Sequence, residues 1–124
     1  MRPILLICVM ALPLAGCAAQ PSILPGKILE VKAHPLPPYQ MHEECATLKA
    51  GDVLEYNYAA QAPLDFNIHY HEGKAVIIPL SRDKLRADRG DFKVLVDQEY
   101  CLMWEAGAGG TPLDYSVRLI RGAK

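Results

Sequence analysis

The chain has 124 residues, 51% of them apolar and 22% charged, with a formal net charge of −1 and four cysteines. That length holds one domain. The apolar fraction excludes a disordered chain, and the near-neutral charge supplies no field that would gather nucleic acid.

Residues 1–16 read as a signal peptide: Arg2 gives a positive start, and Ile4 to Leu14 form an apolar core ending in Leu14-Ala15-Gly16-Cys17. The apolar stretch is shorter than the roughly 20 residues of a membrane span. An ordinary signal cleaved near Ala19, with Cys17 incidental, is the alternative. The Leu-Ala-Gly-Cys ending resembles the lipobox of bacterial lipoproteins. The resemblance implies that lipid, palmitate included, is attached to the Cys17 sulfur and that cleavage leaves Cys17 first. Two or three acyl chains would anchor the protein stably, where one would bind only marginally. Ala18 after the cysteine resembles the outer-membrane sorting pattern of Gram-negative lipoproteins. The expected location is therefore the cell envelope, on the outer membrane facing the periplasm in a Gram-negative cell.

Residues 17–40 hold Pro21, Pro25, Pro35, Pro37 and Pro38, a density that favours an extended tether over helix or central strand. Within the tether, Ile28 to Val31 could pair as an edge strand. The folded domain is expected over 41–124. There Val53 to Tyr58, Leu64 to His71, Phe92 to Asp97, Tyr100 to Trp104 and Leu113 to Leu119 each alternate apolar and polar residues. Turn residues bound them at Gly51-Asp52, Glu72-Gly73, Arg89-Gly90-Asp91 and Gly107 to Pro112. Ser81 to Arg89 reads as a short helix, and its basic residues, interleaved with aspartates, as a solvated surface. Five or six such strands predict an all-β fold, a small antiparallel β-sandwich.

Cys8 leaves with the signal and Cys17 is assigned to lipid, which leaves Cys45 and Cys101. In an oxidising compartment these join as a structural disulfide, or stand free as metal ligands or redox groups. The absence of Cys-x-x-Cys spacing favours the disulfide. Glu44-Cys45 early in the domain and Tyr100-Cys101-Leu102-Met103-Trp104 near its end resemble the GOLD domain, as does Gly90-Asp91-Phe92. The resemblance implies a disulfide between Cys45 and Cys101 and a jelly-roll-like sandwich that binds a partner and does no chemistry. Phe66 to His71 and Tyr100 to Trp104 also resemble segments of uncharacterised bacterial exported proteins, which implies no function.

The most suggestive local feature is Asn67-Ile68-His69-Tyr70-His71-Glu72. In a strand, residues i and i+2 share a face, so His69 and His71 project together beside Asn67. Two imidazoles so placed can chelate Zn²⁺ or Cu²⁺, with Glu72 or His42 as third ligand. The bland alternatives are a polar strand face bonded to neighbours and water, or a ligand patch without metal. The cupin pattern, a glutamate several residues further on and a histidine on a later strand, is not met. Trp104, Tyr100 and Met103 read as core rather than pocket. No nucleophile elbow, phosphate-binding glycine loop, haem attachment or metalloprotease helix occurs. The expected function is a non-enzymatic, lipid-anchored envelope domain that binds a partner or stabilises an envelope assembly, the alternative being a periplasmic Cu or Zn binder.

Overall fold

The structure, a computed structural model, describes Gly16 and residues 22–123. The expected signal peptide and Cys17 lie outside the described residues, Gly16 apart. Among the described residues the chain forms six strands: β1 (Ile28–Leu36), β2 (Met41–Leu48), β3 (Val53–Glu72), β4 (Ala75–Lys93), β5 (Gln98–Ala106) and β6 (Thr111–Ile120). All strand pairs are antiparallel. The protein is all-β, a small antiparallel β-sandwich.

The two layers are halves of one curled sheet, and the long β3–β4 hairpin is their common spine. Along one side of β3, Val53 to Ala60 pair with β6, and Leu64 to His69 pair with β5. Along the other side β4 follows β3 throughout, with register shifts where both strands bend between Ala59 and Phe66. The first layer therefore runs β1-β6-β3-β4 and the second β2-β5-β3-β4. Two stretches expected as separate strands, Val53 to Tyr58 and Leu64 to His71, are one 20-residue strand. The inward parity survives the bend, so Leu54, Tyr56 and Tyr58 of the first layer face Leu64, Phe66 and Ile68 of the second.

Between the layers lies an aromatic core. Tyr58 meets Phe66 at 4.8 Å between ring centroids, Phe66 meets Trp104 at 5.4 Å, and Trp104 meets Tyr115 at 4.6 Å. Such tilted contacts add to the burial of large rings. At the β4 side the layers are closed by polar groups. Tyr56 lies over Gly90, where a Cβ would stand 2.9 Å from its oxygen, and donates a hydrogen bond to Asp88 at 3.0 Å. Arg82, from the other half of β4, pairs with the same Asp88 oxygen at 3.2 Å. Burial and the Asp88 carboxylate push the Tyr56 hydroxyl up to about 12.

Two expectations are corrected. Ser81 to Arg89 is strand, not helix or loop, because it carries one large apolar residue, Leu85, and no stripe to bury. Pairing with β3 satisfies its backbone instead, and Lys84, at φ 53, donates its N–H to Asp65 at 2.8 Å. The sandwich also begins earlier than residue 41. β1 pairs with β6 from Ile28 to Leu36, and Ile23 is already buried in the core. Pro35 is accommodated because β1 is an edge strand. Pro37 and Pro38 form the turn into β2, in which Gln40 donates to the Pro37 carbonyl and Tyr39 adopts φ 59.

Cys45 and Cys101 are disulfide-bonded. They sit directly opposite each other on β2 and β5, so the bond fixes an edge strand to its one neighbour among the described residues.

Candidate functional site

Histidine chemistry falls at two places on the second layer, on opposite faces of the sheet. β2 makes the division: Met41, Glu43, Cys45 and Thr47 point outward, whereas His42, Glu44, Ala46 and Leu48 point between the layers. Adjacent residues Glu43 and Glu44 thus serve different sites.

The outer site is built on three neighbouring strands. Register places Cys45, Cys101 and His69 in one row across β2, β5 and β3. Glu43, Met103 and Asn67 form the next row. His69 is buried, only 5% exposed, although it is on the outer face. Its Nδ1–H donates to the Asn67 Oδ1 at 2.8 Å, which directs Nε2 toward Glu43 Oε1 at 3.6 Å. Burial holds its imidazole below the ordinary histidine value, with the neighbouring His71 acting the same way and Glu43 opposing. His71 is exposed, with its ring edge-on to His69 at 5.2 Å between centroids. The disulfide lies beside Glu43, whose carboxylate is within 4.8 Å of both sulfurs.

The inner site occupies the mouth of the sandwich where β1 and β2 approach. His34 of β1 packs against His42 with tilted rings at 4.0 Å between centroids, and His42 stacks on Trp104 at 6.0 Å. The Tyr115 hydroxyl donates to Glu44 and accepts from His42 Nε2 at 2.8 Å. Burial and the Glu44 carboxylate push the Tyr115 hydroxyl well above its ordinary value. This cluster joins β1 and β6 of one layer to β2 and β5 of the other.

Of the residues expected to act together, the structure brings together Asn67, His69 and His71. His42 is on the opposite face of the sheet and does not complete their set. Glu72 follows His71 at the strand tip, opposite Ala75, and strand parity turns it away from the histidine face. Sequence reasoning missed Glu43 as the carboxylate at His69, and missed His34 and Tyr115 as partners of His42. Their one signal was outward or inward parity along β1, β2 and β6, which names a face but not a neighbour. Trp104 and Tyr100 are core, as expected, while Met103 points outward.

Two surface hollows of about 510 and 560 Å³ are open and away from both histidine groups. One crosses the outer face of the first layer at Glu55, Asn57 and Arg118, and the other lies among Pro35, Pro37, Pro38 and Pro112 at the bend. Compared with known proteins, the sequence matches no family model and no curated protein.

Proposed function

We propose that this is a lipid-anchored envelope protein whose β-sandwich is a non-enzymatic binding domain. The observation that carries this reading is the Leu14-Ala15-Gly16-Cys17 ending, which resembles a lipobox and lies only a few residues before the fold. Ile23 is already packed in the core, and Pro25 and Gly26 are already bonded to Leu119. The few residues in between reach at most about 3.3–3.6 Å each. A lipid on Cys17 therefore holds the sandwich against the membrane rather than far above it. With the interior filled by Trp104, Phe66, Tyr58 and Tyr115, recognition falls to the outer surfaces.

The surface that suits an envelope protein partner is the β4 edge. It is 19 residues long, it borders both layers, and it exposes Val76, Ile78 and Leu85. A long edge offers backbone hydrogen bonds to an added strand, and the apolar side chains supply contact area.

Metabolic labelling with an alkyne palmitate in a bacterial host tests the anchor. The wild-type chain is expected to take label and sediment with membranes, and Cys17→Ser to do neither. An unlabelled, soluble wild-type chain would overturn the reading. A photo-crosslinker at Val76 or Ile78 in intact envelopes then tests the edge. A discrete adduct there, absent with the probe at Lys32, supports it; equal adducts at both positions count against it.

A further inference from the structure

We propose that Glu43, His69 and His71 form a binding site for one divalent transition cation, Zn²⁺ or Cu²⁺, on the outer face of the second layer. This goes beyond the binding-domain reading and is independent of how the chain is anchored. The central group is His69. Its Nδ1–H is committed to the Asn67 carbonyl oxygen at 2.8 Å, so the neutral imidazole carries its lone pair on Nε2. That lone pair faces a carboxylate oxygen of Glu43 at 3.6 Å. The separation is too long for a hydrogen bond, and two electron-rich atoms converge without a proton between them.

A cation satisfies both. With metal–ligand bonds of about 2.0–2.1 Å, atoms 3.6 Å apart subtend roughly 120° at the metal. That is within a small side-chain adjustment of tetrahedral geometry. A carbonyl oxygen holding the far nitrogen of a ligating imidazole is the usual outer-shell arrangement at such metals. Here Asn67 supplies it on the same strand.

The third ligand is supplied by turning the ring of His71, which does not stand at the Glu43–His69 pair in this structure. It shares the face of His69 by strand parity, lies edge-on to it at 5.2 Å between centroids, and is exposed enough to turn. Two imidazoles and one carboxylate favour Zn²⁺ and Cu²⁺ over Ca²⁺ or Mg²⁺, with Cu²⁺ held more tightly. Three protein ligands leave a position for water or an outside ligand. Glu43 approaches from β2, two strands away, and the Cys45–Cys101 bond holds β2 in the register that delivers it.

The test titrates the full chain with CuCl₂ and with ZnCl₂ by calorimetry. The protein is purified without a histidine tag, with detergent present throughout whether it is recovered from the membrane or the soluble fraction. One equivalent of each cation is expected to bind, copper more tightly. Glu43→Gln and His71→Ala should each weaken binding by about 10-fold or more, and Asn67→Ala, through His69, by about 10–100-fold. Electron paramagnetic resonance of the Cu²⁺ form should show coupling to imidazole nitrogen, reduced in His71→Ala. His34→Ala, at the inner site, should bind as the wild type does. His69→Ala removes a buried ring, so circular dichroism must accompany it; Glu43→Gln and His71→Ala alter solvent-facing side chains and keep the test decisive. Absence of saturable binding, or affinity indifferent to Glu43→Gln and His71→Ala, would overturn the proposal.

Discussion

Tyr115 of β6 donates a hydrogen bond to Glu44 of β2 at 2.5 Å, and this contact links the two layers at their open mouth. Glu44 is 14% exposed there, and its other close partner is His42 at 3.3 Å. Tyr115→Phe keeps the ring that packs on Trp104 but removes the proton that Glu44 accepts. Hydrogen bonds to charged groups contribute about 1.5–3 kcal/mol, so urea unfolding should show a loss in that range. A wild-type midpoint in Tyr115→Phe would remove the contact from the list of stabilising links.

His34, in the same cluster, makes stability depend on mild acid. Burial lowers its affinity for a proton, the adjacent His42 lowers it further, and Glu44 works in the other direction. The folded value is thus below the unfolded value of 6.5, and the unfolded chain binds the proton first. The contribution of neutral His34 is full above about pH 6.5 and is lost as pH falls through the lower folded value. The urea midpoint should therefore fall between about pH 7.5 and 5.5, and His34→Gln should flatten that slope.

Asp52 governs a second, more acidic limb. It is 3% exposed, yet its carboxylate accepts from the N–H groups of Lys49 and Gly122 and from Arg121. Burial alone would raise its value, but these donors together hold it below 3.8. Its stabilisation is full above about pH 4 and is lost as pH falls through the folded value. Asp52→Ala should cost about 3 kcal/mol by orphaning two N–H groups. It should also remove part of the acid transition, which thermal unfolding between about pH 5 and 2.5 will read.

The Cys45–Cys101 bond closes a separation of 56 residues. Chain entropy assigns such a closure about 4 kcal/mol. Cys45→Ser/Cys101→Ser should lose a large share of the stability of so small a domain, seen as a lowered urea midpoint. A double variant as stable as the wild type would show that β2 is held by pairing alone.

Tyr58 is the contrary case. Its hydroxyl is buried and has no hydrogen-bond partner among the described residues, as is true of Trp104 Nε1. Burying an unmatched hydroxyl is costly, so Tyr58→Phe should be neutral or stabilising by up to about 1 kcal/mol. Destabilisation in the same unfolding assay would show that the hydroxyl has a partner.

Much of the fold was legible because alternation in a strand is a local property. Leu54, Tyr56 and Tyr58, and likewise Leu113, Tyr115, Val117 and Leu119, face inward as their spacing required. Phe92 and Val94 also obey the pattern, but Val96, expected on the same stripe, is 47% exposed in the loop beyond β4. Ser81 to Arg89 was misread because its charges hid the backbone pairing that decides its state. Of β1 only Ile28 to Val31 was legible as an edge strand, and its continuation to Leu36 was read as tether, because proline density argues against a central strand but is compatible with an edge.

The sequence by itself determined the all-β class, the inward stripes, and the shared face of His69 and His71. Each follows from the period of two along a single strand. Only the tertiary structure decided which strands became neighbours. It folded the β3–β4 hairpin into a spine for both layers and brought Glu43, one row along and two strands away, to 3.6 Å from His69. It also sent His42 inward to His34 and Tyr115. Those pairings join residues far apart along the chain, and their register is set by core packing and strand connections that no local pattern contains.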